Sequence, residues 1–149
     1  MTDNNPSIEN NGAPSWLKPV AIVAIIWNCL GLLSFSVHML MTPEMLTALP
    51  QAEQDLMNSY PVWASVVFGV AVIFGLLGSI LLLMKKAFAF ECFFISIIAV
   101  IVQNYHWFVM ENVLPILGAS SLIMPSLVIV IGVTLLVISN KGKQQAWLN

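Results

Sequence analysis

At 149 residues, with 59% hydrophobic and 8% charged side chains and a mean hydropathy of +0.92, the chain is far more apolar than soluble domains, which are about 25% charged. An ordinary water-soluble globule is excluded. The net charge of −2 carries five lysines and no arginine, so there is no basic surface for phosphate backbones and no nucleic acid is expected as a partner.

The opening stretch MTDNNPSIENNGAPS is polar and rich in Asn, Pro and Ser. Such a composition buries too little apolar surface to order itself, and a disordered tail is expected over 1–15. Secretory signals begin with a basic region and carry an apolar core of about 7–15 residues. Here the opening is acidic and the apolar run is longer, so the first span reads as uncleaved. Four runs are long enough to cross a bilayer, at about 19–41, 62–84, 87–110 and 116–139. They predict an all-α membrane protein, a four-transmembrane-helix bundle over 16–140, with a short tail over 141–149. Lys18 marks the water boundary of the first span, and Pro19 fits a first turn, where its missing N–H breaks no helical bond.

The loop over 42–61 is the only sizeable connection. Thr42, Pro43 and Glu44 form a helix start: a hydroxyl cap, a pre-set φ, and an acid at the positive end of the dipole. One or two short helices interrupted at Pro50 are expected there. Tyr60 and Trp63 fall where amphipathic rings mark a membrane interface. Only Lys85 and Lys86 separate the second and third spans, which requires a tight antiparallel hairpin. If the helices run up and down in alternation, Lys18, Lys85, Lys86, Lys141 and Lys143 share one side and Glu44, Glu53, Asp55 and Glu111 the other. The positive-inside rule then places both termini in the cytoplasm.

Read at about 100° per residue, each span divides into a small or polar stripe and a bulky one. In the third, Ala89, Cys92, Ser96, Ala99, Gln103, His106 and Met110 align, opposite Phe90, Phe94, Ile97, Ile98, Ile101 and Tyr105. In the first, Ala21, Ala24, Asn28, Gly31, Phe35 and His38 align; in the second, Ala71, Gly75 and Ser79 form a small ladder beside Ala64 and Gly78. In the fourth, Gly118, Ser121, Pro125, Gly132 and Ser139 align, with Pro125 expected to kink the helix and free a carbonyl. Gly75, Ser79, Ser96, Pro125 and Gly132 are the residues assigned to helix packing, since small side chains let helices approach closely in lipid. Such stripes also suit a narrow pathway, and both uses remain open. No internal repeat is evident, so a transporter of this size is expected to act as a homo-oligomer or with a membrane partner.

Asn28 lies near the bilayer midplane, where an unpaired amide is costly, and it needs a partner such as Ser96, Ser79 or a carbonyl freed by Pro125. Trp27 beside it also needs an acceptor for its N–H. His38 and His106 lie at similar depths on interior stripes and can face each other; with Gln103 and the acids Glu44 and Glu111 they are candidates for a polar mouth that binds a solute or relays protons. Asn28, His38, Gln103 and His106 are thus read either as solute-lining or as interhelical polar residues. Glu91, close to the Lys86 end, is expected to reach the interface or pair with a hairpin lysine. No ligand spacing points to a metal, and no cofactor is called for. Cys29 and Cys92 both lie within spans, away from an oxidising face, and read as small packing residues. There is no nucleophile–base pair, phosphate-cradling glycine loop or intramembrane carboxylate pair, so an enzyme is not expected.

The segments IWNCLGLLSF, MTPEMLTALPQAEQ, YPVWASVVFGVAVIFGLLGSILLLMKK and SIIAVIVQNYHWF resemble a group of small four-helix bacterial inner-membrane proteins that often carry the label "sugar transporter". The resemblance covers most of the chain after Lys18. It implies a multi-pass protein of the bacterial inner membrane, transporter-like for a small polar solute such as a sugar. The alternative is a non-catalytic structural or accessory protein that acts through helix–helix contacts with itself or a partner complex.

Overall fold

The structure is a computed structural model that describes residues 12–149; most of the tail expected over 1–15 lies outside the described residues. The elements in order are α1 (Leu17–Met39), α2 (Pro43–Thr47), α3 (Gln51–Ser59), α4 (Val62–Leu83), α5 (Ala89–Tyr105) continued by a π turn (His106–Met110), α6 (Leu114–Leu117), a 3-10 turn (Ala119–Leu122) and α7 (Ile123–Gln144). No strand occurs among the described residues. Four helical stretches are long and apolar enough to cross a membrane: Leu17–Met39, Val62–Leu83, Ala89–Met110 and Ala119–Gln144. Their outward faces carry side chains such as Val23, Leu33, Val66 and Val130, each more than 60% exposed, as suits helices solvated by lipid.

Local chemistry sets the short elements. Thr42 Oγ1 accepts the Met45 N–H at 3.3 Å, with Pro43 at the start of α2 and Glu44 in its first turn. Pro50 then separates α2 from α3. The fourth span departs from the expected continuous helix over 116–139. Gly118 adopts φ 73, a conformation that strains residues bearing a Cβ, and the regular helix begins only at Ile123. Gly118 and Ser121 therefore leave the expected stripe; Ser121 Oγ instead donates to Gly118 O at 2.7 Å. Pro125 sits in the first turn of α7, where no helical bond is lost, so it starts the helix and does not kink it. At its other end α7 runs to Gln144, through residues expected to be tail.

Three pairs of long helices pack extensively: α1 with α4, α4 with α5, and α5 with α7. The first and last make no comparable contact. Glycine sockets bring the packed pairs together. The Phe35 ring covers Gly69, Asn28 covers Gly75, the Phe93 ring covers Gly78, and Ile97 covers Gly132. Ile97, expected to face lipid, is in fact only 6% exposed, because Gly132 opposite leaves room for it. Met110 is 61% exposed, since the π turn rotates it off the inner stripe. Ser96 Oγ donates across to Ala71 O at 2.7 Å; such interhelical bonds in membranes contribute about 0.6 kcal/mol on average.

Near the lysines the bundle is filled. Leu17, Ala21 and Ala24 of α1, Leu82 of α4, Ala89 and Phe93 of α5, Leu135 of α7, and Leu148 form one buried cluster.

Gly75→Ala places a methyl group on top of Asn28 Oδ1 and 3.2 Å from Ser96 Oγ, whereas Gly31→Ala meets only Val72, at 3.4 Å. Overpacking costs about 1–3 kcal/mol. The purified Gly75→Ala protein is therefore expected to unfold at a lower temperature than wild type in detergent, with Gly31→Ala close to wild type; equal midpoints for the two variants would contradict the socket description.

Candidate functional site

Where α1 and α7 lack the extensive packing of the other pairs, a cavity of about 350 Å³ opens among the four long helices. Asn28, Gly31 and Ser34 line it from α1, Phe68 and Ala71 from α4, Ser96, Gln103 and Asn104 from α5, and Pro125 from α7. Trp27 and Trp107 supply its aromatic walls. A second, more apolar groove of about 370 Å³ lies between α1 and α7 nearer the lysines and shares Trp27.

Asn28 is held from two sides. Its Nδ2 donates to Ala24 O at 2.9 Å and to Ser79 Oγ at 3.1 Å, and Ser79 Oγ donates onward to Gly75 O at 2.8 Å. Ser79 was one of the partners the sequence suggested. Ser96 bonds instead to the Ala71 carbonyl, and no carbonyl is freed at Pro125. Both Nδ2 hydrogens of Asn28 are thus used within the protein, while the side chain still borders the cavity. The amide forms an interhelical bond and also borders the cavity.

Beyond Gln103 the site becomes an aromatic and histidine cluster that the sequence only half disclosed. The expected pairing of His38 with His106 is not direct: Tyr60 stands between them, its ring 4.8 Å from His38 and 5.7 Å from His106. Gln103 Nε2 donates to the Tyr60 hydroxyl at 3.3 Å, and the Trp107 ring lies 5.8 Å from the Tyr60 ring. His38 Nε2 pairs with Ser65 Oγ at 3.2 Å. Tyr60 therefore connects the two histidines and Gln103, beyond the interfacial role expected of it. A local signal for this exists. Tyr60 precedes Pro61, which holds it extended, at φ −64 and ψ 115, and so sets how the chain enters α4.

His106 is 1% exposed. Its Nε2 lies 3.3 Å from Glu111 Oε1, while its Nδ1 has no partner among the described residues. The π turn makes the first contact possible. Its wider winding bonds Glu111 N–H to His106 O at 3.0 Å, so the fifth residue onward, and not the fourth, returns to His106. Trp63 closes the other side, edge-on at 4.8 Å.

Burial pushes the Tyr60 phenol above the ordinary tyrosine range, opposed in part by the hydrogen bonds from Trp107 and Gln103. In an absorbance titration Tyr60 is expected to ionise later than an ordinary tyrosine, whose pKa is about 10, and this late step should be missing from Tyr60→Phe. The unfolded phenol releases its proton first, so the contribution of Tyr60 to stability falls as pH rises past about 10. Wild type and Tyr60→Phe losing stability in parallel there would rule out the inward placement. Comparison of the chain with known family models, with curated proteins and with solved structures finds no match.

Proposed function

We propose that this chain is a multi-pass protein of a bacterial inner membrane, its spans alternating in direction and both termini cytoplasmic, that carries a small hydroxyl-bearing solute such as a sugar. The observation that supports this reading is the cavity of about 350 Å³ bordered by both amides and indoles. Its size falls at the lower end of small-molecule sites, roughly 300–1,000 Å³. Indole faces stack on apolar ring faces, and Gln103, Asn104 and Ser96 present polar atoms along one wall of the cavity. The cavity lies on the Gln103 side of Asn28; on the lysine side Ala24 and Leu135 belong to a buried cluster and also border the apolar groove between α1 and α7.

The second reading, a structural or accessory protein, draws on the outer faces. Only 11% of the α1 span and 6% of the α7 span are buried within the chain, which leaves broad helix faces for another copy or a partner. Under either reading the lysine positions assign the side of the membrane.

Proteoliposome uptake across a panel of hydroxylated solutes tests the choice. Transport predicts protein-dependent flux that falls by about tenfold or more in Asn28→Ala and Gln103→Ala, the loss of roughly one hydrogen bond, and persists in Cys29→Ala. No protein-dependent flux for any solute would remove transport and leave the accessory reading. Orientation has a separate check: a reporter fused after Asn149 should be active on the cytoplasmic side, and a periplasmic signal would overturn the lysine argument.

A further inference from the structure

We propose that residues 145–149 form a strap that locks the lysine end of the bundle shut and must lift before the cavity can open on that side. Its sequence gave no such indication, since KGKQQAWLN reads as a polar tail.

The strap begins where α7 reverses. Trp147 N–H bonds to Gly142 O at 2.9 Å and Ala146 N–H to Lys143 O at 3.3 Å, with Ala146 left-handed at φ 54. This is the double bond of a Schellman closure, built without the usual glycine. The end of α4 is made the same way: Lys86 N–H bonds to Leu81 O at 2.8 Å and Lys85 N–H to Leu82 O at 3.0 Å, with Lys85 at φ 57. The two reversals meet. Asn149 N–H donates to Lys85 O at 2.8 Å, and Ala87 N–H donates to Asn149 O at 3.1 Å. Left-handed conformations of residues with side chains persist where surrounding contacts over-determine them, and here each reversal is held by the other.

Side chains complete the closure. Leu148, 4% exposed, fills the space left by the missing side chain of Gly142, where a Cβ would come within 2.7 Å of it. It joins the buried cluster with Leu17, Leu82 and Phe93. Trp147 meets Trp16 edge-on at 5.9 Å. Just before the strap, Lys143 Nζ lies 2.6 Å from Glu91 Oε1 and 5.2 Å from the centre of the Phe90 ring. Of the two expectations for Glu91, reaching the interface or pairing with a hairpin lysine, the second is not met, since its lysine partner is on α7. One short segment therefore touches the start of α1, the turn between α4 and α5, and the end of α7. These are the parts that would have to separate for a solute to leave past Ala24 and Leu135. Held by two backbone bonds and one leucine at the rim, the strap is also the piece that can release without unpacking α5 from α7. The closure stands on these contacts; its role as a gate rests on the solute reading above.

Cys92 reports on it. It is 1% exposed, on the α5 face between Ala89 of the sealed cluster and Ser96 of the cavity. In a Cys29→Ala background Cys92 is the sole thiol, since the chain has two cysteines. Reconstituted in nanodiscs, where both faces meet an impermeant maleimide, the protein lacking 145–149 is expected to label at Cys92 about tenfold faster or more, with Leu148→Ala intermediate. A matched reporter, Ser34→Cys with both native cysteines replaced by alanine, samples the far end of the cavity and should change by less than about twofold. No acceleration at Cys92 overturns the strap, and so does equal acceleration at both reporters, which would mean the whole bundle had loosened. Uptake in the same variants separates this from the solute reading: strap-dependent labelling without flux in any variant retains the lock and removes transport.

Discussion

Close approach of helix backbones through glycine is the constraint on which the rest of this structure depends. In lipid, apolar side chains gain little by turning inward, because the surrounding tails are as apolar as they are. Association must come from tight packing and from polar bonds, and both need small residues at the crossing points. Gly69, Gly75, Gly78 and Gly132 each receive a larger side chain from a neighbouring helix, respectively Phe35, Asn28, Phe93 and Ile97. At Gly75 the two requirements coincide. The absence of a Cβ lets the Asn28 amide come close enough to α4 to bond Ser79.

This arrangement explains why space remains between α1 and α7, as the cavity at Asn28 and the groove nearer the lysines. The sockets join α1 to α4, α4 to α5 and α5 to α7 in series, but nothing of the kind joins α7 back to α1. Near the lysines Ala24, Leu135 and Leu148 join one buried cluster, with the apolar groove beside it. Toward the histidines the break at Gly118 ends the regular part of the last span at Ile123, and the cavity lies beside its first turn, at Met124 and Pro125. The cavity is the consequence of an open chain of helix pairs. The polar groups that border it are there because Asn28 and Ser96 were needed for packing and because Gln103 reaches Tyr60.

The histidine cluster follows a different logic. His106 is buried deeply and is given a carboxylate by a local change of helix winding, not by a neighbouring span. Tyr60 then links it to His38 through ring contacts and to the cavity through Gln103. Buried polar side-chain atoms ordinarily have a hydrogen-bond partner, and among the described residues His106 Nδ1 and Glu91 Oε2 have none.

Much of this was legible from residue order alone. Spans are determined by the length of apolar runs, so the four membrane-crossing stretches, the short helices at Thr42 and after Pro50, and the inward faces of α1 and α4 could be read directly. The small stripe at Ala71, Gly75 and Ser79 and the need of Asn28 for a partner were equally visible, because a buried amide is costly wherever it lies. What could not be read was which residue meets which across a gap. Periodicity assumes a uniform 3.6-residue turn, so it misplaced Met110 beyond the π turn, and it took a continuous last span past Gly118. It put Ile97 in lipid because it cannot see a glycine on another helix. It missed the connecting contacts of Tyr60 and took 141–149 for a tail, because the partners of both, His38 and His106 in one case and Lys85, Gly142 and Trp16 in the other, are brought near only by the folded chain. Sequence by itself determined that the protein lives in a membrane and which faces its helices hide, since those depend on local composition and spacing; the cavity, the tyrosine bridge and the strap were decided by tertiary structure, since each depends on distances between helices that no single helix contains.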